Sequence, residues 1–422
     1  MRFPISSAAG NRLCRAGAAL ALLLLLAGSF AIARSKTEEP GQVSGKIYDA
    51  ASRKPLVGVE VVWKDSKTYS DKDGLYRLAV PIGVRKLVFH FGNRPEVDKS
   101  LVIRESAQTV TLDVLVPPVS DSANSYALVA DRGLKLTPDG KALKSEFSGD
   151  SMICTGDERG NNDRFLQLDL GGLKAHSPVW TDGGRALLYG KEGVAPRKQD
   201  VALMGVYRYD VALRKSRQIA SGQPIHFVDV SATTNTVVAA TDHAVFVVNA
   251  ATGELRKVVQ EPAATSFLLS IAWGPDGRIY FAVDESVPID AQHSYTRSRI
   301  ASVMPDGSGL QPAWAADPQY SFRYPISSGN DLLYSRFTLD GKEQTLWSRP
   351  SDAVEAKQIL ANVLRAVSYD PAANILYYLY RNDLHFRDLK SNFDVTLLNS
   401  VESACLFAQV VKKQVGGEPI RK

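Results

Sequence analysis

Cysteine is nearly absent: Cys14, Cys154 and Cys405 are the three among 422 residues. A small scaffold stapled by several disulfides is thereby excluded, and the fold must rest on buried apolar surface. Charge of one sign is lacking too. The formal net charge is +5, and it falls to +2 without Arg2, Arg12 and Arg15, which is no footprint for nucleic acid or an anionic membrane surface. Beyond Ala33 no apolar run is long enough to cross a bilayer as a helix, so no membrane span is expected in the mature chain. The sequence contains no G-x-S-x-G elbow, no H-E-x-x-H pair and no glycine-rich phosphate loop. No catalytic residue, metal or cofactor is assigned on that basis. What is present, 45% hydrophobic and 23% charged residues, describes a folded chain of about two or three domains.

The first 33 residues carry a basic start, an apolar run from Ala16 to Ala27 and the small-x-small pattern Ala31-Ile32-Ala33. This reads as a signal peptide cleaved after Ala33, with a periplasmic or secreted product. An uncleaved anchor is the other reading, since Ala16 to Ala33 reaches the lower limit for a span. Residues 34–41 form a linker.

From Gln42 to Pro118, apolar and polar residues alternate in short runs: VSGKIYD, GVEVVWKD, LYRLAVP, RKLVFHF and QTVTLDVLV. Period two marks half-buried strands, and turn signals such as SDKDG and PIGV separate them. A small antiparallel β-sandwich is expected. Asp71 and Asp73 in SDKDG provide too few carboxylates for a calcium loop, and an Asx turn is preferred. The order carried by Gly45, Asp49, Pro55, Leu56, Gly58, Val59, Val61, Asp71, Gly74, Tyr76, Leu78, Pro81 and Gly83 resembles the carboxypeptidase regulatory-like (transthyretin-like) family. That resemblance implies an accessory or adhesive domain without catalysis.

Residues 119–125 read as a second linker. From 126 to 410 six segments align: KSEFSGDSMICTG, SPVWTDGGRALLYG, FVDVSATTNTVVAAT, SIAWGPDGRIYFAV, YPISSGNDLLYSRF and AVSYDPAANILYYLY. Anchored on Phe147, Trp180, Val230, Trp273, Ile326 and Tyr369, they recur roughly every 33 to 53 residues, a propeller period. A third strand follows each, among them FLQLDL, VYRYDV and AVFVVNA, and most continue into a fourth. The expected fold is all-β: the small antiparallel β-sandwich followed by a six-bladed β-propeller. The runs from Ser177 and Ser270, and GDERGNNDRFLQLDLGG from Gly156, resemble the TolB-like propeller family. Blades three, five and six lack its Pro-Asp-Gly turn. The ring is expected to close through SYALVAD near Tyr126 or SACLFAQV near Ala404, and residues 411–422 form a polar tail.

Cys154 is placed on the second strand of blade one and Cys405 in the closing segment. A disulfide between them would staple the ring; two buried free thiols are the alternative.

The loops between second and third strands share one face with the connections between blades. DERGNND, KEGVAPRKQDVALMG and DESVPIDAQHSYTRS are assigned to it. Four residues before each anchor stand Leu143, His176, His226, Leu269, Phe322 and Arg365, expected at the channel mouth. Arg159, Arg164, Arg197, Lys198, Tyr295, Arg297, Tyr320 and Arg323 give that face a basic and aromatic character. Candidate ligand-binding residues are therefore His176, His226, Phe322, Arg323, Arg365, Tyr295 and Arg297, suited to a carboxylate. Partly buried histidines bonded to the backbone, and solvated charges, explain the same residues without a ligand.

The expected function is an exported, non-catalytic binding or scaffold protein whose partner is an envelope or extracellular protein or an acidic glycan. The alternative is a propeller enzyme, a glycan lyase or a metal-dependent lactonase-like hydrolase, working through His176, His226 and Arg365. A purely structural surface protein is a third reading.

Overall fold

Alternation becomes visible burial in the first strand, Gly41–Asp49, where every second residue is buried. The computed structural model describes residues 39–118, 128–132, 153–166, 168, 173–193, 198–231, 233–261, 266–288, 293–313, 317, 319–350, 355–363 and 365–406. The leader, the linker at 119–125, the tail and the segment around Phe147 and Leu143 lie outside the described residues.

Gly41–Asp49 pairs with Leu75–Val80 and, in parallel, with Thr109–Thr111 and Val114–Val116. A second sheet runs Ser66–Tyr69, Glu60–Trp63, Gly83–His90, Val97–Ile103. Val43 and Ile47 from the first sheet and Val61, Phe89 and Leu101 from the second belong to one buried cluster. Gly45 is required there, because a Cβ would stand 1.9 Å from the Leu112 carbonyl oxygen. The Ser70–Gly74 segment is an Asx turn: Asp71 Oδ1 accepts from the amides of Asp73 and Leu75, both at 2.9 Å.

The rest of the described chain is all-β apart from two short 3-10 segments, Asp182–Gly184 and Lys198–Leu203. Six four-stranded antiparallel sheets follow one another as blades. In blades two to six the strands run in chain order from innermost to outermost, and the innermost are Lys174–Thr181, Phe227–Val230, Ser266–Trp273, Tyr320–Ser328 and Arg365–Asp370. Each touches the next, and Ser403–Leu406 touches both the first and the last of them, completing the ring. This is a six-bladed propeller, in which each blade buries its faces against its neighbours.

Blade one is composite. Ser403–Leu406 is its innermost strand, followed outward by Leu128–Asp131, Ile153–Gly156 and Arg164–Phe165. Both closing candidates are thus used, paired from Ser403↔Asp131 to Leu406↔Leu128. The consequence is a one-strand shift: Cys154 lies on the third strand, and FLQLDL begins on the fourth rather than forming the third. DERGNND therefore joins third to fourth strand and belongs to the opposite end of the blade from the face assigned to it. It lies over the outer strand of blade six, with Gly160 close to the Leu397 carbonyl, as Gly253 of blade three lies near Ile219.

Of the two readings of the cysteine pair, the free thiols hold: Cys154 and Cys405 are not bridged. Cys154 pairs with Ala130 and Cys405 with Val129, on either side of Leu128–Asp131. One intervening strand separates them by roughly 10 Å, beyond disulfide reach. They also face opposite ways, Cys154 toward blade six and Cys405 toward blade two.

The amino-terminal sheets and the ring form one compact unit, Pro40–Lys422. Their junction lies at the seam between blades six and one, where Tyr48 packs edge-on against Phe393 and polar groups interlock. Asn399 exchanges hydrogen bonds with Val102, accepting from its amide at 3.1 Å and donating to its carbonyl at 2.8 Å. Asp163 accepts from the Ser100 amide at 2.7 Å, and Asn161 donates to the Leu115 carbonyl at 2.9 Å. The fully buried Arg132 donates to Asn399 Oδ1 at 3.1 Å and lies 3.6 Å from Asp163.

Candidate functional site

Second strands end, and innermost strands begin, on the same face, so the side chains at those ends surround one mouth of the channel. On blades two and three, that geometry assembles a carboxylate between two imidazoles. His176 is the third residue of its strand and His226 immediately precedes Phe227–Val230. Glu192 ends the second strand of blade two. Glu192 Oε1 stands 2.6 Å from His176 Nε2 and Oε2 stands 2.6 Å from His226 Nε2. The imidazoles stack with centroids 6.0 Å apart and planes 10° from parallel. Asp242 flanks His226 Nδ1 at 3.4 Å.

Local backbone choices make this approach. Gly190 lies opposite His176, and a Cβ on it would stand 2.4 Å from the Ile225 carbonyl oxygen; its absence lets blade three close on blade two. Ser177 adopts φ 46° although proline follows, a conformation that costs of order 1–3 kcal/mol. Its hydroxyl donates to the His226 carbonyl at 3.1 Å, tying the two mouth residues together.

Glu192 and His226 support each other's charge. Burial alone would raise the Glu192 pKa, but the two imidazoles outweigh it and hold the carboxyl at about 2. His226 titrates above its ordinary value: burial acts to lower its pKa, and Glu192 and Asp242 more than compensate. Both Nε2 atoms face Glu192, and Asp242 lies beside the Nδ1 of His226. Among the described residues no group of three or more His, Cys, Asp or Glu side chains is arranged to hold a metal ion.

Blade five repeats the device. Tyr324 has φ 55° and precedes Pro325, and the ladders match: His176↔Gly190 then Val179↔Leu188, Arg323↔Ser335 then Ile326↔Leu333. Arg323, not Phe322, therefore holds the position of His176, and the anchor on Ile326 is one residue short. Phe322 is a correction for a physical reason: it turns away from the mouth into the core between blades four and five, 9% exposed and packed with Tyr334, Ala282 and Ile300. Arg323 Nε donates to Ser298 Oγ at 2.6 Å, and Nη2 lies 3.2 Å from Asp284.

DESVPIDAQHSYTRS is a ladder rather than an open loop, extending from Asp284↔Ser298 to Pro288↔Ser294. Tyr295 and Arg297 lie on it. Arg297 pairs with Glu285 at 2.8 Å and Arg299 pairs with the same carboxylate at 2.9 Å. Glu285 consequently titrates below its ordinary value, the arginines overcoming the opposing effect of burial. Arg159 is buried beside Asp157 and Glu158, away from this face. Arg197 lies outside the described residues, as does the side chain of Lys198. The expected basic face is thus largely neutralised by its own acids.

Arg365 differs. It opens the innermost strand of blade six, its guanidinium carbon 5.4 Å from the centre of the Tyr324 ring. Desolvation lowers its pKa, and no carboxylate among the described residues pairs with it. The structure brings His176 to His226, Arg323 to Asp284, Arg297 to Glu285, and Arg365 to Tyr324.

Sequence reasoning missed Glu192, Asp242, Asp284, Glu285 and Tyr324. A local signal existed: the second strands of blades two, three and four lead into YGKE, AATD and AVDE, an acid within three residues of an apolar run.

No family profile and no curated protein matches this chain. Solved structures similar to it include TolB from Acinetobacter baumannii, 12% identical over 66% of this chain and 65% of that one, with a TM-score of 0.47. Another is the oligogalacturonate lyase from Vibrio parahaemolyticus, 11% identical over 75% of this chain and 85% of that one, TM-score 0.42. The propeller assignment stands on the strand order and ring contacts given above.

Proposed function

We propose that this chain is an exported, non-catalytic recognition protein whose channel mouth holds a carboxylate-bearing protein or glycan, with the amino-terminal sheets as an accessory domain of the carboxypeptidase regulatory-like kind. Arg365 carries this reading. It is a desolvated guanidinium braced on Tyr324 without a carboxylate among the described residues, on a face where Arg323, Arg297 and Arg299 each have one. A partly buried, desolvated cation without a counter-ion is costly, and a ligand carboxylate would relieve that cost with a bidentate pair. The imidazoles, held by Glu192, would shape the opposite rim. No helix among the described residues is long and apolar enough to cross a membrane.

Purified protein titrated with acidic oligosaccharides and acidic peptides tests the proposal, with Arg365→Gln in parallel. One class should bind in a salt-sensitive way, and the variant should bind roughly tenfold or more weakly, as expected for losing a charged hydrogen bond. Equal binding by a folded variant refutes the mouth as the site. Cleavage of the bound probe establishes an enzyme instead.

A further inference from the structure

A second arginine on the same face also stands without a paired carboxylate among the described residues. Arg336 lies near the end of the second strand of blade five, Asp331–Thr338. It pairs in register with Phe322 on one side and Thr345 on the other. Tyr320 is two residues from Phe322, and Trp347 two from Thr345, so strand alternation puts both rings on the same side as Arg336. Its guanidinium carbon lies 4.1 Å from the centre of each ring. Trp347 is itself fixed, its indole N–H donating to Thr345 Oγ1 at 2.9 Å.

We infer that Tyr320, Arg336 and Trp347 form a carboxylate-binding subsite on blade five. Two aromatic rings lie against the guanidinium, which leaves its N–H edge for recognition. Nε is buried with no hydrogen-bond partner, and no acid among the described residues pairs with the group. Asp284 and Glu285 of blade four are engaged by Arg323, Arg297 and Arg299. A planar fork held rigid in this way matches the two coplanar oxygens of a carboxylate, and holding it between rings removes the entropy a free arginine would lose on binding. A stack serving only to brace the blade would need no charge at its centre, since Met or Leu fills the same slot without desolvating a cation. The subsite does not depend on Arg365; if both hold, a ligand with two carboxylates would engage the face at two points.

The experiment titrates purified protein with glucuronate, N-acetylglycine and inorganic phosphate separately, following tryptophan emission and the arginine Nε–H resonances. Saturable binding of the carboxylates should shift the Arg336 resonance and change the Trp347 emission. Arg336→Gln should weaken binding roughly tenfold or more, whereas Arg365→Gln should leave the Arg336 shift in place. Glucuronate and N-acetylglycine separate a sugar-borne from a peptide-borne source. Phosphate binding without carboxylate binding overturns the assignment, as does an Arg336 resonance unmoved by any carboxylate. The resonance is read on the unaltered protein, so misfolding of Arg336→Gln would not blunt the test. An Arg336 shift that persists while Arg365→Gln changes no affinity would sink the mouth proposal alone.

Discussion

Lys99 reaches from the amino-terminal sheets to the last blade of the ring, where its fully buried ammonium donates to the Leu397 carbonyl at 2.9 Å; it donates to the Asp113 carbonyl at the same distance. The sheets thereby clasp the outer strand of blade six just before the chain turns inward to close the ring. Arg132, Asp163 and Asn399 extend the clasp into blade one.

This seam predicts a stability profile with a minimum near neutral pH. Burial lowers the Lys99 pKa from 10.5 to about 8, a cost of roughly 3 kcal/mol fully present below pH 8. Stability should rise as the pH climbs from 8 to 10.5, because there the unfolded chain binds the proton that the native chain has released. Burial, helped by Glu158, raises the Asp157 pKa from 3.8 to about 7, so stability should fall between pH 4 and 7. Thermal unfolding across pH should show the alkaline gain flattened in Lys99→Met and the acid-side fall flattened in Asp157→Asn.

Glu192 is expected to set the titration of its neighbour. In Glu192→Gln the largest source of the raised His226 pKa is gone, and burial then dominates, so the imidazole should titrate lower by NMR. An unchanged His226 titration would mean that Asp242, not Glu192, governs it.

The missing side chain at Gly190 is expected to matter as much as the charges. Gly190→Ala must push Ile225 and His226 away from blade two, so the stacking of the imidazoles and the His226 shift should both be lost. Overpacking of this kind costs about 1–3 kcal/mol, readable by denaturant unfolding.

Ring closure can be tested at Leu406, which lies opposite Leu128 in the closing ladder and is buried in the core shared by blades six and one. Leu406→Ala removes that packing and should cost about 2–5 kcal/mol by denaturant unfolding, whereas truncation on an exposed loop would be silent. A loss below 1 kcal/mol would argue that the composite blade contributes little.

The thiols supply a chemical check. Burial raises both the Cys154 and the Cys405 thiol to about 11, so native protein beginning after residue 33 should react slowly with thiol reagents. Denatured without reductant, it should expose two thiols. A count of zero would contradict their placement on opposite faces of one sheet.

The sequence by itself determined the class of fold. Alternation in runs such as VSGKIYD and the recurrence of an apolar strand, a turn and a second apolar strand require only local sterics and a face to bury, so the all-β character and the six repeats were legible. So was the proximity of His176 and His226, since equal positions in neighbouring repeats must adjoin around a ring. Tertiary structure alone decided which strand closes that ring. Ser403–Leu406 pairs with Leu128–Asp131, segments that meet only when the chain ends do, and no local pattern marks one apolar strand as the partner of another so distant. That single non-local pairing moved Cys154 by one strand, took DERGNND to the opposite end of its blade and separated the two thiols. It was likewise the packing of blade on blade, through Gly190 and the left-handed Ser177 and Tyr324, that brought Glu192 between the imidazoles, moved Arg323 into the place expected of Phe322, and left Arg365 and Arg336 as cations with no acid paired to them among the described residues.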